Sequence, residues 1–88
     1  MKAQFRASFA KDLRNINSKE ILSRIKEVIG QVEKAQSLQE ITSIKKLKGS
    51  RNYYRIRVGE YRIGLVIEGD EISFVRCLDR KEIYRYFP

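Results

Sequence analysis

From Tyr53 to Leu78 the chain alternates apolar and polar side chains, and two glycine-plus-acid dipeptides, Gly59-Glu60 and Gly69-Asp70, interrupt the alternation. A period of two sends successive side chains to opposite faces of a strand. A two-residue loop with glycine first is a preferred hairpin connection. Three antiparallel strands in a meander are therefore expected. Tyr54, Ile56 and Val58 share one face, which Tyr61, Ile63, Leu65 and Ile67 continue, while Tyr53, Arg55 and Arg57 take the other. With Gly59 and Glu60 as the loop, Val58 opposes Tyr61, Arg57 opposes Arg62, Ile56 opposes Ile63 and Arg55 opposes Gly64. In the same phase Arg76 shares a face with Ile72 and Phe74, an uncomfortable place for a charge, and a slip of one residue would free it.

The pattern before residue 53 is different. Ala3, Phe5 and Ala7 alternate with polar residues and suggest a short strand. Ser8 is a candidate cap for a first helix with Phe9, Leu13 and Ile16 on one face. Asn17, with Glu20 in capping-box spacing, is the expected start of a second helix. There Ile21, Leu22, Ile25, Val28, Ile29 and Val32 recur at helical intervals to about residue 35. Residues 36–52 are less regular, and Leu38, Ile41, Ile44 and Leu47 are expected to tuck against the core. Asp79 is placed to cap a final turn through Tyr84. The expected architecture is α+β and a single domain over 1–88: an N-terminal strand, a helical hairpin, then a three-strand antiparallel meander with a short C-terminal helix. Two helices cover one face of the sheet and leave the other open.

Charge singles out that open face. The chain carries 19 Lys and Arg against 11 Asp and Glu, a net charge of +8. A field of that size favours a polyanion or an acidic partner. The densest stretch runs from Lys45 through Lys46, Lys48, Arg51, Arg55 and Arg57 to Arg62, with Glu60 the one acid among them. Like charges directly opposed across a strand pair are destabilising, so Arg57 facing Arg62 is costly unless an anion sits between them. Guanidinium forks match phosphate. Gly64 leaves open space beside Arg55, as a mid-strand glycine does where a ligand or another backbone comes close. Tyr53, on the same face, could stack on a base or cap the edge of the core. Lys45, Lys46, Lys48, Arg51 and Tyr53 are thus candidate nucleic-acid-binding residues.

Several classes are excluded. No apolar run approaches the roughly 20 residues of a membrane span. The chain has no histidine and one cysteine, Cys77, so neither an internal disulfide nor a zinc site is expected, and no cofactor. An unpaired thiol fits a reducing cytoplasm.

The run Leu47-Lys48-Gly49, then Tyr54-Arg55-Ile56-Arg57-Val58-Gly59-Glu60-Tyr61-Arg62-Ile63, and finally Asp79-Arg80-Lys81-Glu82-Ile83-Tyr84-Arg85-Tyr86-Phe87, resembles the RelE/ParE toxin superfamily. The resemblance spans nearly the whole chain. It implies the toxin of a type II toxin–antitoxin pair, cytoplasmic and neutralised by a cognate antitoxin in a hetero-oligomer, whose RelE-like members enter the ribosomal A site and cleave mRNA. Carried over by position, Arg55, Arg57 and Arg62 match basic active-site residues, Arg80 a basic residue ahead of the C-terminal tyrosine, and Tyr84 that tyrosine. Many relatives have histidine where this chain has Asp79. That leaves the acid–base residue open among Asp79, Glu82, Tyr84 and the lysines. It also leaves open a ParE-like inhibitor of DNA gyrase and a relative that binds antitoxin without cleaving.

Overall fold

The computed structural model describes residues 1–88. The elements are β1 (Lys2–Phe5), α1 (Ala7–Arg14), α2 (Lys19–Lys34), β2 (Ile44–Lys46), β3 (Tyr53–Val58), β4 (Tyr61–Glu68), β5 (Glu71–Asp79) and α3 (Ile83–Tyr86), with a 3-10 turn at Leu38–Glu40. The expected α+β order holds. One five-stranded sheet has the order β1-β5-β4-β3-β2. β1 runs parallel to β5, from Lys2 beside Glu71 to Phe5 beside Phe74; the other pairs are antiparallel. Phe9, Ile25 and Val32 of the helices join Ile56, Ile63, Leu65, Ile72 and Phe74 of the sheet in one buried core. No helix is long and apolar enough to cross a membrane.

The hairpin register is the one its turn dictates, with Val58 opposite Tyr61, Arg57 opposite Arg62 and Arg55 opposite Gly64. Gly59 has φ +59°, a conformation that glycine adopts at no steric cost. β2 is an addition to the meander. It lies along β3, with Lys45 beside Arg55 and Lys46 beside Tyr54. Three residues in a lysine-rich stretch carry too little periodicity to announce a strand, but they satisfy the edge of β3.

All three expected caps move; at the C-terminus Glu82, not Asp79, precedes α3, which runs two residues past Tyr84. α1 begins one residue before Ser8, and the Ser8 hydroxyl instead donates to the Val75 carbonyl at 2.6 Å. The cap of α2 is Ser18 rather than Asn17: its Oγ accepts from the Ile21 amide at 3.2 Å. Ile16, beyond the end of α1, is buried in the core, so the chain is still entering the interior there and the helix starts later. Ser18→Ala is expected to cost about 1 kcal/mol, read from the urea midpoint, with Asn17→Ala close to neutral.

The slip that frees Arg76 is a β-bulge. Leu65 pairs with Phe74 but Gly64 pairs with Arg76, so Val75 has no partner and the phase of β5 reverses. Phe74 and Cys77 therefore both point into the core, and Arg76 reaches the open face. β1 flanks β5 only as far as Phe74. Past that point α1 takes over the exposed edge. Asp12, almost fully buried, accepts from the Cys77 amide at 2.9 Å and holds the Arg76 guanidinium with bonds of 2.7 and 3.1 Å. These bonds hold Arg76 above its ordinary pKa. Burial first, and Asp12 second, push the Cys77 thiol up to about 12, so this cysteine packs as a small apolar residue and is not a reactive thiolate.

Candidate nucleic-acid interface

Alternation places Lys45, Tyr53, Arg55, Arg57, Arg62, Gly64 and Arg76 on the face that the helices leave open. Lys45, Arg55, Gly64 and Arg76 form one row across four strands, with Arg57 and Arg62 in the next row toward the hairpin turn. Beyond that turn the Arg80 amide donates to the Glu60 carbonyl at 2.8 Å, and the Arg80 guanidinium pairs with the Glu60 carboxylate at 2.7 Å. The turn thereby fastens the segment after β5 to the arginine end of the sheet.

Arg62 is the electrostatic centre of this group. Its pKa is lowered, first by burial, then by the charges of Arg55 and Arg57, with Arg80 adding to the effect and Tyr84 opposing it. The other four residues expected to be catalytic thus all act on Arg62. Their hydrogen bonds go mainly to carbonyls: Arg62 donates to Gly59 O at 2.9 Å and Tyr61 O at 3.0 Å, and Arg55 to Ser43 O at 3.3 Å. None of the ion pairs involves Arg55, Arg57 or Arg62. The Arg80–Glu60 pair is exposed and so contributes little to stability. A phosphate would meet cationic donors held by weak neutral acceptors, so it could displace those contacts.

A groove of about 1380 Å³ opens beside the cluster. Lys45, Lys46, Lys48 and Arg51 line one wall, Tyr84, Tyr86 and Phe87 another, and Tyr53 and Arg55 are also in contact with it. All five candidate nucleic-acid-binding residues converge here. Arg57 borders a smaller recess with Arg55, Lys45 and Ser43. Asp79 lies apart from the groove; its carboxylate accepts from the Lys81 amide at 2.9 Å and forms the turn into α3.

The space beside Arg55 is not open. A methyl group on Gly64 would lie 2.7 Å from the ring of Phe87, so the glycine admits this chain's own phenylalanine. Tyr53 meets the same ring edge-on at 5.5 Å and is 37% exposed. Tyr84 is 60% exposed, with its ring free to meet a ligand. Sequence reasoning missed Phe87, Tyr86 and Arg76 as parts of this surface. The one available signal was the missing side chain at Gly64, which shows that something comes close and not what.

Residues 3–84 match the family described as the ParE toxin of type II toxin–antitoxin systems, parDE. The chain belongs to the RelE/ParE toxin family. It is 49% identical to Toxin RelE3 of Methanocaldococcus jannaschii over 89 residues, all of both proteins. Its fold superposes on the RelB-RelE antitoxin-toxin complex from Methanococcus jannaschii with a TM-score of 0.82 and 48% identity, covering 97% of this chain and 99% of that one. The archaeal RelE-RelB complex from Pyrococcus horikoshii shares the fold alone, at 21% identity and a TM-score of 0.73 over 93% and 97% of the chains.

The arginines of this face cannot take up a proton, and histidine cannot do it for them. Histidine is absent throughout, and a guanidinium stays protonated. Among the groups that act on Arg62, Tyr84 is the one that is not a cation. Exposed on the wall of the groove that Arg55 also lines, it is a candidate for moving a proton there, beside the groove's lysines.

Proposed function

We propose that this chain is a translation-arresting toxin that cleaves mRNA in the ribosomal A site. The observation that carries the reading is the placement of Arg57 opposite Arg62 with Arg55 in the adjacent row, beside a lysine-lined groove that Arg55 shares with Tyr84. In the reaction the 2′-oxygen attacks the adjacent phosphorus while the bond to the 5′-oxygen breaks, leaving a 2′,3′-cyclic phosphate and a 5′-hydroxyl. The guanidinium groups stabilise the doubly charged phosphorane, the task that fixed donors perform best. Tyr84 gives its phenol proton to the departing 5′-oxygen, and water carries off the proton of the 2′-hydroxyl. Orientation by the ribosome supplies the remaining advantage. Lys45, Lys46, Lys48 and Arg51 hold the flanking phosphates, and Tyr53 stacks on a base. An antitoxin of the RelB kind, like those in the complexes of the relatives, would cover this cationic face in the cytoplasm until released.

Expression of the wild-type chain with mapping of mRNA 5′ ends tests the reading. Protein synthesis should stop before DNA synthesis, with new 5′ ends inside translated codons. The ParE description of the matching family favours a second reading, inhibition of DNA gyrase. In that case DNA synthesis stops first, an SOS response follows and messages stay intact. Intact messages with neither arrest, but with antitoxin bound, would leave a binding relative that does not cleave.

A further inference from the structure

We infer that Gly64 and Phe87 form a seat that positions Tyr84 at the arginine cluster, which makes Phe87 a positioning residue. The inference rests on the reading of Tyr84 as a catalytic group. α3 is four residues long, and a single turn has no stability of its own; its place must come from contacts beyond it. Two side chains one turn apart supply them. Ile83 is fully buried and Phe87 is 2% exposed, and the Phe87 amide closes the turn on the Ile83 carbonyl at 2.8 Å. Between these anchors Tyr84 and Tyr86 face outward.

The seat for Phe87 is specific. It sits over the one residue of the Lys45–Arg55–Gly64–Arg76 row that has no side chain, and any Cβ there would meet three ring carbons within 3 Å. Tyr53 closes one side. On the other, the Arg76 guanidinium lies 5.5 Å from the centre of the Tyr86 ring, a cation–π distance, and Asp12 holds that guanidinium from behind. The bulge that brings Arg76 to this face and the glycine that receives Phe87 are cross-strand partners. One local irregularity thus builds both holds on the segment that carries Tyr84.

Fluorotyrosine placed at position 84 of the full chain reports the seat independently of activity. In otherwise wild-type protein its fluorine line should be single and should move on Arg62→Ala. Phe87→Ala should shift the line to the position of a solvated tyrosine and abolish the response to Arg62→Ala. Gly64→Ala should do the same from the other side of the contact, and the double variant should be no worse than Phe87→Ala. Phe87→Leu, which keeps volume without the flat ring, replaces Phe87→Ala should that protein not fold. On ribosomes, kcat should fall about ten- to a hundred-fold with KM little changed, the scale set by misplacing a reacting group by about 1 Å. An unmoved fluorine line in Phe87→Ala overturns the inference, and so does a moved line with cleavage undiminished. A moved line in a protein whose wild type cuts no message supports the seat and sinks the nuclease reading alone.

Discussion

Replacing both Arg57 and Arg62 by alanine is expected to abolish the proposed mRNA cleavage and the growth arrest while leaving the fold intact. Removing one preorganised donor to a charged transition state costs about 10²–10³ in rate. Arg57 and Arg62 stand directly opposite each other and share the charge of one cluster, so the pair should cost 10³-fold or more. Stability should change little. Arginine facing arginine destabilises a strand pair by some tenths of a kcal/mol, and neither residue is part of an ion pair. Against that gain, Arg62→Ala loses the bonds to the carbonyls of Gly59 and Tyr61, so the urea midpoint should stay close to that of the wild type. The 5′-end maps and urea curves of the two proteins, taken together, separate loss of chemistry from loss of fold. Undiminished toxicity in a folded double variant would remove these arginines from the site.

Asp12→Ala should have the largest effect on stability. Asp12 is 6% exposed and satisfies three donors: the two guanidinium nitrogens of Arg76 and the Cys77 amide. Truncating one partner of a buried pair costs about 3–5 kcal/mol. Arg76 keeps a quarter of its side chain in water, so the lower end, about 3 kcal/mol, is expected. For a domain of this size that lowers the thermal midpoint by about 12–24 °C, easily read by circular dichroism. Asp12→Asn should lose less, because the amide oxygen still accepts from Cys77. A fall of under about 4 °C in Asp12→Ala would mean that water replaces the carboxylate along the edge of β5. The effect would extend to the open face, because Arg76 in turn supports Tyr86.

The residues of the hairpin show what was legible from the chain alone. Alternation from Tyr53 and the glycine of the turn are local properties, and they determined that Arg55, Arg57 and Arg62 share the open face and that Arg57 meets Arg62. The convergence of Lys45, Lys46, Lys48 and Arg51 followed from their density next to that hairpin, although the strand β2 that lays them along β3 did not. The motifs around Gly59 and Arg80 were enough to indicate the family.

The content of the face was decided elsewhere. Gly64 announced a close approach, and the ring that makes it comes from Phe87, beyond the whole of β5. Arg76 looked misplaced until the bulge at Val75 turned it outward, toward an aspartate 64 residues earlier in the chain. Ser8 looked like a helix cap until the unpaired edge of β5 claimed its hydroxyl, 67 residues away. By itself the sequence determined the strands other than β2, their turns, the register of the arginines and the excess of positive charge, because each of these arises between near neighbours. Tertiary structure alone decided which groups satisfy the edge of β5, where the bulge falls and what fills the space above Gly64. Those outcomes depend on partners that meet only after the chain has closed on itself, and no local pattern records them.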